Sequence, residues 1–98
     1  MRRLLTGARP VAFDLYRAYR LSPAATLRPE PFGALAYHFG NRRLSFLKNR
    51  QLVSVVRLLE SHDSAADALG AAGVPDQQWS SYAAALSALA SSEFIDER

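Results

Sequence analysis

Residues 28–48, RPEPFGALAYHFGNRRLSFLK, restrict the fold more than any other stretch, because they spell two short strands with a tight reversal between them. Gly40 stands at the first central position of Phe39-Gly40-Asn41-Arg42, where a type II′ turn needs a positive φ, so a two-residue loop is the expected connection. The turn then sets the register. Counting outward, Phe39 faces Arg42, Tyr37 faces Leu44 and Leu35 faces Phe46, while His38 faces Arg43, Ala36 faces Ser45 and Ala34 faces Leu47. One side of the hairpin is aromatic and aliphatic, the other mostly small or polar. With this loop Arg42, Leu44 and Phe46 spend their backbone groups on the first strand, and Arg43, Ser45 and Leu47 point N–H and C=O outward.

Around the hairpin the pattern is equally direct. Tyr16 to Leu27 alternates over Tyr19, Leu21 and Leu27, is broken by Ser22-Pro23, and suits one irregular strand beside the hairpin. Pro29-Glu30-Pro31 imposes an extended bend on the approach, since each proline fixes φ and disfavours helix in the residue before it. After Lys48 the apolar period changes from two to 3.6. Asn49 can cap a helix to about Glu60 with the stripe Leu52, Val55, Val56 and Leu59. Asp63 or Ser64 opens a short second helix that Gly73 ends before Pro75, and Asp76 is placed to cap a third, with the stripe Trp79, Tyr82, Ala83, Leu86 and Leu89. Phe94 and Ile95 then fold back on the core. The expected fold is α+β: a three-stranded antiparallel sheet followed by three helices, winged-helix-like, as one domain over residues 13–98 behind a flexible arm at 1–12.

Composition removes several kinds of chemistry. A chain of 98 residues holds one modest core, and without cysteine it has no disulfide, thiolate nucleophile or Cys-ligated metal. No run reaches the roughly 18 apolar residues of a membrane span, and Gly7, Arg9 and Pro10 interrupt any signal-peptide core, so a cytoplasmic protein is expected. His38 and His62 lie on different elements outside any metal-ligand spacing, and neither a phosphate loop nor a nucleophile elbow occurs. The expectation is no enzyme, no cofactor and no metal.

Binding is left, and the charge map separates two forms of it. Residues 1–57 carry eleven Lys and Arg against two acids, a net +9, whereas residues 58–98 carry one Arg against seven acids, a net −6. A winged-helix DNA-binding regulator is the alternative reading, with Gln77 and Gln78 able to address adenine. Its reading helix, DQQWSSYAAALSALAS, nevertheless has no Lys or Arg to anchor phosphates, so no nucleic acid is expected as a partner. Peptide binding by strand addition uses the hairpin better. The second strand, Arg42, Arg43, Leu44, Ser45, Phe46 and Leu47, ends the meander and offers an unpaired edge; Trp79, Tyr82 and Leu86 on the third helix would line the cleft beside it. Simple core packing competes with that role for all three, as the favoured reading for Leu86 and an even one for Tyr82. The same edge also permits a strand-exchanged dimer beside the monomer.

The stretch Leu27-Arg28-Pro29-Glu30-Pro31-Phe32-Gly33-Ala34-Leu35, with Tyr37-His38-Phe39-Gly40 and Arg43-Leu44-Ser45-Phe46-Leu47-Lys48, resembles the mycofactocin biosynthesis peptide chaperone (MftB) family. The helical remainder, ending LASSEFI, resembles the wider PqqD-like class of precursor-peptide recognition elements, and the resemblance spans residues 13–95. It implies a non-catalytic partner that binds the leader of a ribosomally made precursor as an antiparallel strand in the groove against the last helix, and presents it to a radical S-adenosylmethionine maturase. Precursors of this family are rich in glutamate. Arg42, Arg43, Lys48 and Arg50 are the cations expected nearest the groove, and the turn Arg28, Pro29, Glu30, Pro31 and Phe32 is the expected maturase-docking element.

Overall fold

Period-two segments form strands and period-3.6 segments form helices, in the expected order with two additions. A computed structural model describes residues 13–98, so the arm expected at 1–12 lies outside the described residues. Strands β1 (Tyr19–Leu21), β2 (Ala25–Glu30), β3 (Gly33–His38) and β4 (Leu44–Leu47) precede helices α1 (Arg50–Leu58), α2 (Ala65–Ala71) and α3 (Trp79–Ser91); β5 (Ile95–Glu97) ends the chain. β2, β3 and β4 make an antiparallel three-stranded sheet in that order.

The irregular strand expected across Tyr16 to Leu27 is two strands in two sheets. Ser22 separates them: its Oγ accepts the Ala24 N–H at 3.1 Å and its carbonyl accepts the Ala25 N–H at 2.9 Å, closing a turn between β1 and β2. β1 instead pairs antiparallel with β5, Leu21 opposite Ile95. The expected return of Phe94 and Ile95 to the core is therefore a strand pairing, and both side chains are buried. Arg17 braces the same corner through Glu97, whose hydrogen bond and charge, with Asp14 nearby, hold its guanidinium above the ordinary range.

The hairpin keeps the expected register, Ala34 opposite Leu47 and Tyr37 opposite Leu44, but with another turn. Positive φ falls at Arg42 (61°), not Gly40. The His38 carbonyl accepts from Arg42 N–H at 2.8 Å and His38 N–H donates to the Arg43 carbonyl at 3.0 Å, so Phe39–Arg42 is a four-residue loop. His38 organises it: Nδ1 accepts the N–H groups of Gly40 and Asn41 at 3.0 and 3.1 Å. That closeness explains the glycine. A Cβ at Gly40 would stand 2.9 Å from the His38 ring.

Of the two sides of the hairpin, the small one faces the core and the aromatic one faces outward. Ala34, Ala36, His38 and Leu47 are buried, while Phe39, Leu44 and Phe46 are 58–60% exposed. Small residues on β3 let α1 lie close, with Val55, Val56 and Leu59 against the sheet and Leu69, Leu86 and Leu89 completing the core. Burying such a Val or Leu side chain contributes about 1.5–3 kcal/mol.

Two helix starts follow the sequence and one does not. Asn49 Oδ1 accepts the N–H groups of Gln51 and Leu52 at 2.8 and 3.1 Å, and Ser64 Oγ accepts that of Asp67 at 3.0 Å. Gly73 ends the α2 region with φ 77°. Asp76 does not cap α3: it begins a separate 3-10 turn, Asp76–Gln78, which leads into α3 with no side-chain cap.

Candidate functional site

Among the described residues β4 is an outer strand of its sheet with no strand paired on its far side, and the turn decides which of its groups face outward. Since His38 and Arg43 form the closing hydrogen-bonded pair, the ladder bonds alternate through Ala36–Ser45 and Ala34–Leu47. Arg43, Ser45 and Leu47 thus turn their backbone inward, and Leu44 and Phe46 turn theirs outward. This reverses the set expected from the two-residue loop.

Beside that edge runs a groove. Its central hollow, of about 230 Å³, is lined by Ser45, Phe46, Leu47 and Leu52 on one side and Ala85, Ala88, Leu89 and Ser92 on the other. A second hollow of about 140 Å³ continues it along Asn49, Leu52, Ser81, Tyr82 and Ala85. On α3 and its C-cap the positions Ser81, Ala85, Ala88 and Ser92 follow at i, i+4, i+7 and i+11, a stripe of small side chains beside the core stripe Tyr82, Leu86 and Leu89. Small residues leave room between helix and strand for another length of backbone.

Both ends of β4 are tied to α3 by asparagines. Asn41 Nδ2 donates to the Ser92 carbonyl at 3.2 Å while its Oδ1 accepts the Arg43 N–H at 2.9 Å. Asn49 Nδ2 donates to the Tyr82 hydroxyl at 2.9 Å, and that hydroxyl donates to Gln51 Oε1 at 3.3 Å. The groove is therefore held at a fixed width by polar contacts at each end, with an apolar floor between.

The expected site residues divide accordingly. Ser45, Phe46, Leu47 and Tyr82 line the groove, and Leu44 contributes its outward backbone. Leu86 is wholly buried and belongs to the core. Trp79 lies outside the groove lining; its Nε1 donates to the Val74 carbonyl at 2.9 Å and fastens the α2–α3 connection. Arg42 and Arg43 are exposed at the hairpin tip, at one end of the groove. Lys48 and Arg50 lie elsewhere: Lys48 flanks Phe32 and Phe46, and the Arg50 guanidinium donates to the Pro31 carbonyl through Nε and Nη2 at 3.2 and 3.0 Å. In the turn, Arg28 is paired with Glu30 at 2.7 Å. Sequence reasoning attended to the large residues of α3 and passed over Ser81, Ala85, Ala88 and Ser92; the signal was their helical spacing.

Among the described residues no cluster of His, Asp or Glu could hold a metal, and no helix is long and apolar enough to cross a membrane. The family model described as "Peptide chaperone MftB family" matches residues 18–96. The chain is 49% identical over 102 residues to the "Peptide chaperone MftB" of Mycobacterium ulcerans (strain Agy99), covering 97% of this chain and 94% of that one. It is 50% identical over 88 residues to the protein of the same name from Mycolicibacterium smegmatis (strain ATCC 700084 / mc(2)155), covering 90% and 86%. No solved structure matches the chain.

Proposed function

Because the chain belongs to the peptide chaperone MftB family, which serves mycofactocin biosynthesis without catalysis, we propose that it captures the leader of an acidic precursor peptide as a strand on β4 and presents it to a radical S-adenosylmethionine maturase in the cytoplasm. The observation that carries this reading is the groove between the outward backbone of Leu44 and Phe46 and the small stripe of α3. A leader strand would gain main-chain hydrogen bonds along β4 and place alternate side chains over Leu52, Ala85 and Ala88. Arg42 and Arg43 would attract its carboxylates and speed its encounter.

The maturase is proposed to dock at the Arg28–Phe32 turn; an Arg28/Glu30 double substitution that left maturase affinity unchanged would remove the two charges from that role.

Backbone amide shifts of isotope-labelled protein provide the test. Titration with an acidic leader peptide is expected to move Leu44 to Leu47 and the Ser81–Ser92 face of α3. Shifts produced by a short DNA duplex instead, centred on Gln77, Gln78 and the arginines, would overturn the reading in favour of a winged-helix regulator.

A further inference from the structure

The sheet has a second face, which meets the peptide groove only at Phe46. Opposite the core, β3 and β4 carry Leu35, Tyr37, Leu44 and Phe46, joined by Phe32 from the β2–β3 turn and Phe39 from the hairpin tip. Phe32 packs edge-on against Phe46 with centroids 6.0 Å apart, and Tyr37 against Phe39 at 5.3 Å; the cross-strand pairs Leu35–Phe46 and Tyr37–Leu44 set these two ring pairs side by side on one face. Phe32, Phe39, Leu44 and Phe46 are each 43–60% exposed. A shallow hollow of about 450 Å³ opens between Phe32, Phe46 and Lys48. A continuous apolar surface of this kind on a small domain marks an interaction site.

We infer that this outer face of the three-stranded sheet docks a folded protein whose own patch is apolar and bordered by carboxylates. It rests on the reading above in one respect: the partner is the maturase that receives the peptide. Two observations select such a partner. The face lies on the plane of a sheet whose ladder already occupies the backbone of β3, so an extended peptide finds no main-chain partner there, whereas a folded surface needs only side-chain contact. Its borders are also cationic. Arg28 shares the face through its register with Leu35, Lys48 flanks the hollow, and Arg50 is fastened beside Phe32 through the Pro31 carbonyl. Glu30 is paired with Arg28 and compensates it, so among the described residues the positive charge of this border rests on Lys48 and Arg50. A second copy would bring the same cations against themselves, while carboxylates on a different protein would complement them.

The proposed face extends the Arg28–Phe32 turn across β3 and β4 to the hairpin tip, with the aromatic surface as its energetic centre. The test is a Phe32→Ser/Tyr37→Thr double variant, which changes the face and leaves the groove lining intact. Leader affinity, read by fluorescence anisotropy, is expected to stay within about twofold, while maturase affinity, read by calorimetry, falls at least about tenfold, as for loss of central aromatic contacts. Maturase affinity equal to wild type would overturn the inference. So would a wild-type dimer, seen by sedimentation, that the double variant abolishes while still binding the maturase. If circular dichroism shows the double variant unfolded, Phe39→Ser at the exposed tip takes its place with the same two outcomes. Wild-type protein that binds the maturase but not the leader would leave this face standing and remove the leader-binding reading.

Discussion

β2 and β4 are the two outer strands of one sheet, and their free edges are built in opposite ways. On β2 the outward positions are Ala25, Leu27 and Pro29, because the Phe39 N–H bonds to the Ala24 carbonyl and the ladder alternates from there. The Ala25 N–H is taken by the Ser22 carbonyl at 2.9 Å, and Pro29 has none to offer. The strand also carries the Arg28–Glu30 ion pair. These are devices that keep an edge from recruiting another strand. On β4 neither outward position is a proline, and the strand faces a groove floored by Leu52, Ala85 and Ala88. An edge is receptive when its donors are free and the space beside it is lined with small side chains; on β2 the Leu27 N–H stands between one donor that is taken and one that is missing, which leaves no run of donors for a strand to follow.

Proline substitutions break that comparison most sharply. Ser45→Pro removes a ladder bond to β3 and is expected to destabilise the fold by roughly 3 kcal/mol, lowering the unfolding midpoint by more than about 10 °C in a calorimetric scan. Phe46→Pro removes an outward N–H instead. The ladder should persist while leader affinity falls about tenfold or more by anisotropy. Equal effects of the two substitutions on folding would refute the alternation assigned to β4.

That alternation shows how far the sequence could be read. The register was legible because a two-residue loop at Gly40-Asn41 and a four-residue loop over Phe39–Arg42 are centred on the same point. Which residues turn their backbone outward was not, since the closing pair moves from Phe39–Arg42 to His38–Arg43 when the loop lengthens. The decisive contact, His38 Nδ1 accepting from Gly40 and Asn41, belongs to a side chain that alternation marks only as a strand residue. Helix stripes and two of the three caps were legible from local spacing. The exposure of Phe32, Leu44 and Phe46 was not, because apolar character does not compel burial. β5 escaped notice because its pairing with β1 joins opposite ends of the domain.

Smaller changes sharpen the contrast. Ala85→Leu fills the groove without touching the core stripe, and is expected to cost about tenfold in leader affinity with the fold intact by circular dichroism. Combining Arg42→Asn, which tolerates the left-handed backbone at φ 61°, with Arg43→Gln should weaken leader binding about threefold and flatten its dependence on salt, measured between low and physiological ionic strength. Pro29→Val, on the closed edge, restores one donor; it should change stability by less than about 0.5 kcal/mol but introduce concentration-dependent self-association in sedimentation.

Alternation on β4 has a consequence for whatever strand joins it. Such a strand must also alternate, turning one set of side chains toward α3 and the other onto the plane of Leu35, Tyr37 and Phe46. Its even and odd residues would then be under separate selection, one set for fit to this protein and the other for fit to the protein that meets the complex. A single short leader could in this way carry two interleaved messages, each legible to only one reader.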